Sequence, residues 1–173
     1  QAGQLLGRLG RLDEAAAAFR RALERDPDLA AARFNLAMAE LGRGNMDAAL
    51  SSLQAVTGRW PRIAAGWLQL GGVLNALGRY GEAEQALRRH TQIAPDTVEG
   101  RIWLGASIQL QGRFDEAEHC YREALGLRPD HPDALANLGK LLQAMGEPEQ
   151  AESCFRRALA ADPGHDQARS GLA

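Results

Sequence analysis

Apolar residues fall along this chain in pairs of helical stripes, and the pairs recur at a fixed interval. Between 98 and 131, Ile102, Leu104, Ile108 and Leu110 mark one stripe. Phe114, Ala117, Tyr121, Ala124 and Leu125 mark a second, at i, i+3, i+4 and i+7 spacing. Each stripe predicts an amphipathic helix, A and then B. The stretch from Gly112, GRFDEAEHCYREALGLRP, has counterparts beginning at Gly10, Gly44, Gly78 and Gly146. Their closing prolines, Pro27, Pro61, Pro95, Pro129 and Pro163, stand 34 residues apart with no insertion. A strict period of this length predicts a repeat array, in which neighbouring units share one continuous core.

With the proline at position 32 of each unit, 30–63, 64–97, 98–131 and 132–165 are full repeats. Residues 1–29 form a truncated repeat and 166–173 begin a sixth helix pair, so 1–173 is expected to be one solenoid. Both ends interrupt a helix, as in a piece of a longer protein. Glycine after helix A accepts the left-handed conformation that stops it, and Asp115 is placed to cap helix B. Proline after helix B lacks the amide to continue it, while Pro132 suits the first turn of the next helix.

Close packing is written into three positions. Position 8 of helix A is Gly3, Ala37, Gly71, Gly105 or Gly139, and position 20 of helix B is always alanine. Position 24 is Phe19, Leu53, Leu87, Tyr121 or Phe155. Small residues let two backbones approach while the larger ones fill the flanks.

Small-8, Ala-20, aromatic or Leu-24, small-27 and Pro-32 in a 34-residue period resembles the tetratricopeptide repeat (TPR) family over essentially the whole chain. Glu40, where position 11 is usually apolar, and His90, where position 27 is usually small, depart from the pattern. The resemblance implies an all-α, right-handed superhelical solenoid of antiparallel helix pairs. It also implies a concave helix-A groove that binds a polypeptide segment. Groove positions of that family fall here on Phe34, Asn35, Met38, Gln69, Asn75, Trp103, Gln109, Asn137 and Lys140. The amides can pair with an extended backbone, and the aromatics offer anchors. Asn35 and Asn137 match the asparagine ladder in the TPR arm of O-linked N-acetylglucosamine transferases, whereas Gln69 and Trp103 interrupt it. The cationic clamp with which co-chaperone TPRs hold a terminal carboxylate is missing when its positions are counted from the second, third or fourth repeat.

Charge and chemistry narrow the reading further. A formal net charge of −2 favours neither nucleic acid nor an anionic membrane. No apolar run predicts membrane insertion. Nothing assigns a compartment; a soluble, cytoplasmic setting is the default expectation. Arg20-Arg21, Arg88-Arg89 and Arg156-Arg157 suggest a basic stripe, but Glu84–Arg88, Glu118–Arg122 and Glu152–Arg156 stand four apart in the favourable order. They predict an ion-paired, solvated face. Cys120 and Cys154 share one register and read as small packing residues, since stacked helices stand ~8–10 Å apart and a disulfide needs ~7 Å or less. His131 and His165 read as solvated loop residues, and His90 as a bulky residue that loosens its junction. No catalytic constellation, metal motif or cofactor loop is visible. The expected function is a protein–protein interaction module without enzymatic activity. The alternatives are a substrate-recruiting arm of a larger transferase, or a scaffold that self-associates head to tail through its truncated ends.

Overall fold

A computed structural model describes residues 11–172 of the chain. Ten helices make up the described residues, with no strand among them. They fall into two compact units, 1–77 and 78–173. Gly3 and Gly10 lie outside the described residues.

The first unit holds α1 (Leu12–Arg25), α2 (Ala30–Gly42), α3 (Met46–Arg59) and α4 (Ala64–Ala76). The second holds α5 (Tyr80–Ile93), α6 (Val98–Gln109), α7 (Phe114–Leu127), α8 (Pro132–Met145), α9 (Pro148–Ala161) and α10 (Asp166–Gly171). Within each unit every helix packs on the next in sequence. In the second unit α6 also meets α8, and α8 meets α10, so A helices of successive repeats lie side by side.

The helix stops are those the glycines and prolines dictate. Gly44, Gly78, Gly112 and Gly146 all take φ between +73° and +82°. After three of these glycines the next amide reaches back five residues: Asn45 to the Glu40 carbonyl, Arg113 to Ile108 and Glu147 to Leu142. That bond satisfies a carbonyl which the helix end would otherwise orphan. B helices close with an ordinary backward bond, as from the Arg128 amide to the Ala124 carbonyl, one residue before the proline. Pro132 occupies the first turn of α8 as the sequence predicts. Helix B entry differs from expectation. Arg113 stands at the cap of α7 with no side-chain capping bond to the helix, and Asp115 lies inside the first turn. Its carboxylate there faces the positive end of the helix dipole rather than a free amide.

Position 8 works mainly through position 24. A Cβ on Gly105 would stand 2.8 Å from the Tyr121 ring, and one on Gly139 2.6 Å from the Phe155 ring. The glycine is therefore a seat for the aromatic of the following helix. Ala49, Ala83 and Ala117, at position 20, are wholly buried. The Tyr121 hydroxyl is not lost in the core, because it donates to Gln109 Oε1 at 2.8 Å.

Both departures from the repeat pattern find local compensation. The Glu40 carboxylate is almost fully buried yet accepts from Arg20 on α1, from Arg43 Nη1 at 2.8 Å and from Asn45 Nδ2 at 2.7 Å. Charge-assisted bonds of this kind make such burial tolerable. Glu84 on α5 repeats the device in the second unit, accepting from Gln111 at 2.9 Å and Arg113 at 2.6 Å in the α6–α7 turn. Each carboxylate ties a B helix to the following repeat.

His90 does not simply loosen its junction. It is buried, bonds the Thr97 hydroxyl at 2.8 Å, and lies where a Cβ on Gly100 would come within 2.3 Å of its ring. A Gly66 Cβ would likewise meet Val56 at 2.9 Å. Position 27 and position 3 of the next repeat thus vary together. Val56 and His90 face Gly66 and Gly100, while Ala22, Ala124 and Ala158 precede Ala32, Ala134 and Ala168.

Candidate functional site

The two sides of each helix pair carry different chemistry. On the B side, many of the exposed charges are paired with one another, beside a few exposed apolar residues such as Ile93, Phe114 and Leu127. All three predicted pairs form, Arg88–Glu84, Arg122–Glu118 and Arg156–Glu152. Arg113 adds bonds to both Glu84 and Glu116, and Arg157 reaches the Pro129 carbonyl at 2.8 Å. Two grooves at the same register open on this side. One of 540 Å³ is lined by Arg88, Arg101, Leu104, Ile108, Glu116 and Cys120 among others, and one of 320 Å³ by Arg122, Leu138, Leu142, Gln150, Cys154 and Arg157. Their arginines are spent on neighbouring carboxylates and carbonyls.

Both cysteines are free thiols buried on the floors of these grooves. Burial pushes the Cys120 thiol up to about 11, and Glu123 nearby pushes in the same direction. Burial also raises Cys154. Neither is poised as a nucleophile, which requires the thiolate.

The A side is different. In the first unit Phe34, Asn35 and Met38 on α2 are all half-buried, and so are Leu68, Gln69 and Asn75 on α4. In the second unit Trp103 and Gln109 on α6 and Asn137 on α8 are half-buried, and Lys140 is exposed. Ile102 and Ala136, which share the register of Phe34 and Leu68, are buried and belong to the core.

The amides are partly committed. Gln109 gives its oxygen to Tyr121, so its remaining donor is the amide nitrogen. Asn137 Oδ1 accepts from Gln167 Nε2 on α10 at 2.8 Å, and Gln143 Nε2 donates to the Gly171 carbonyl at 3.2 Å. Amides of α8 and α10 therefore link across adjacent A helices. Lys140 makes no ion pair among the described residues.

The histidines at position 34 are not solvated loop residues. His165 Nδ1 accepts from the Ala168 amide at 3.2 Å and caps α10, while Nε2 lies 3.1 Å from Asp133 Oδ1. His131 precedes α8, is buried, and leaves Nδ1 without a partner. For His165 the helix N-terminus supplies the partner, a signal that the loop position alone concealed. Among the described residues no group of histidine, cysteine and carboxylate side chains could hold a metal ion. No helix among them is long and apolar enough to cross a membrane.

Comparison with known proteins agrees with this architecture. The structure of MamA superposes with a TM-score of 0.87 at 21% identity, covering 94% of this chain and 95% of that one. TTC0263, a thermophilic TPR protein of Thermus thermophilus, superposes at 0.79 with 28% identity over 99% and 95% of the two chains. YrrB, described as a TPR protein with an unusual peptide-binding site, superposes at 0.82 with 23% identity over 98% and 88%. No curated protein sequence matches the chain. The model of the cilia and flagella-associated protein 70 C-terminal domain, a TPR domain, matches residues 1–173 throughout. The repeated helix pairs, their glycine and proline punctuation and this full-length match place the chain in that TPR family.

Proposed function

We propose that the chain binds polypeptide segments of partner proteins on its A-helix face, and that it does so without chemistry of its own. Membership of a TPR family supports a protein-interaction module in general. One observation carries the finer reading. Arg88, Arg122 and Arg156 on the B side are paired with glutamates of their own helices, whereas the A side presents half-buried aromatics, Met38 and carboxamides. A merely solvated face has no use for Phe34 and Met38 in the first unit or for Trp103 in the second, and partly exposed apolar side chains of this kind mark an interaction surface. Amide groups beside them suit an extended backbone, which offers alternating donors and acceptors. YrrB provides a precedent for peptide binding on this fold.

The test is selection of peptides from a displayed random library on the purified chain, followed by affinity measurement against variants. Phe34→Ala or Trp103→Ala should weaken the selected peptides at least tenfold, while Arg156→Ala on the B side leaves them unchanged. Peptides that respond to Arg156→Ala and ignore both aromatic substitutions would place the site on the other face.

A further inference from the structure

We propose that the second unit's share of the A-helix face recognises a basic residue in its partner, the guanidinium or ammonium group standing over the Trp103 indole between the carboxylates of Glu99 and Asp133. The inference rests on the A-helix reading above and adds the chemistry of the bound segment.

Glu99 and Trp103 are one turn apart on α6, which places them on the same helix face. Asp133 and Asn137 hold the same two register positions on α8, and α6 and α8 pack side by side. Register thus puts an indole and two carboxylates on the same stretch of two adjacent helices. Both carboxylates are exposed. Glu99 has no hydrogen-bond or ionic partner among the described residues, and Asp133 has only His165. Cations on the same two helices are directed elsewhere. Arg101 donates to the Pro95 carbonyl and to the Thr97 carbonyl at 3.4 Å, and its nearest carboxylate is Glu123 at 3.9 Å. Lys140 follows Asp133 by seven residues, ~10 Å along the helix axis and outside ion-pair range.

The face of an indole carries negative potential and attracts a cation, more strongly when the contact is shielded from water. Two flanking carboxylates act in the same direction, so the site complements a positive side chain and penalises a negative one. The first unit has no such field, because Ala31 and Ala65 occupy the register of Glu99 and Asp133. Basic selectivity therefore belongs to the second unit. Lys140, further along α8, repels a second cation there and favours an acidic residue at that end of the bound segment.

The probe is a random twelve-residue peptide library displayed on phage and selected on the purified chain. Glu99→Gln/Asp133→Asn serves as the discriminating variant, with its melting curve compared with the parent to verify folding. Selected peptides should carry Arg or Lys at one fixed position. Replacing that residue by Ala should weaken the synthetic peptide at least tenfold, as should E99Q/D133N, and the difference should shrink in high salt. Peptides that need Trp103 but show no basic position, or that ignore E99Q/D133N, overturn this inference and leave the A-helix reading standing. Peptides that ignore Trp103→Ala and Phe34→Ala, or failure to select any peptide, overturn both.

Discussion

The pairing of His90 with Gly100 makes the sharpest prediction about why this chain folds. Adding a methyl group at Gly100 puts a carbon 2.3 Å from His90 Cδ2 and 2.6 Å from its Nε2, well inside contact distance. The ring has little room to yield, since it is buried and held by the Thr97 hydroxyl. Overpacking of this kind costs ~1–3 kcal/mol. Alanine regains at most ~1 kcal/mol of helix propensity over glycine, and less at the third residue of a helix. Gly100→Ala should therefore be destabilising on balance. His90→Ala should cost roughly 2–4 kcal/mol, because it leaves a void against a residue that has no side chain to fill it.

The double variant recreates the alanine pairing that Ala124/Ala134 and Ala158/Ala168 use in later repeats. There the new methyl enters the space that the ring vacated, so the second substitution should relieve the first. A coupling of ~1–3 kcal/mol is expected for residues in direct contact. Urea titrations followed by circular dichroism at 222 nm, on the parent and all three variants, measure it. The double variant should be at least as stable as His90→Ala alone. Effects that add to within ~0.5 kcal/mol, or a Gly100→Ala variant as stable as the parent, would refute the account of compensating volumes.

Two further outcomes test the core and the charge network. Ala117→Leu, at a wholly buried helix contact, should lower the melting temperature far more than Glu118→Leu, which loses mainly an i,i+4 pair worth ~0.2–0.5 kcal/mol; equal melting temperatures would show the helix register to be wrong. For Glu84, burial pushes the carboxyl pKa up, but hydrogen bonds from Arg113, Gln111 and Arg88 outweigh it and hold the group below its ordinary value. A lowered native pKa stabilises the fold fully above about pH 4.5 and loses that contribution as pH falls through the depressed value. The parent's advantage over Glu84→Gln in urea should thus be constant near neutrality and shrink below about pH 4.5; an advantage that grows on acidification would contradict the network.

Period, helix pairs and punctuation were legible in the residues because each depends on local chemistry. Only glycine takes the positive φ found at Gly44, Gly112 and Gly146 without strain, and proline cannot continue the B helix whatever surrounds it. Salt bridges four residues apart were equally legible, since both partners sit on one helix. Substitutions at positions 27 and 3 carried a signal too. Large residues facing glycine and alanine preceding alanine can be read directly in the sequence, once the two positions are known to touch.

What tertiary structure alone decided involves groups brought together from different helices. Glu40 breaks the apolar pattern as a letter in the sequence, and only the arrival of Arg20 from α1 shows how its charge is satisfied. Ile102 and Ala136 share the register of Phe34 and Leu68, yet they belong to the core. His131 and His165 occupy a loop position, yet His131 is buried and His165 caps the start of α10. A periodic sequence fixes which face each side chain leaves from, because that follows from backbone geometry. Burial and partnership depend on what the neighbouring repeat places opposite, and that is set by packing.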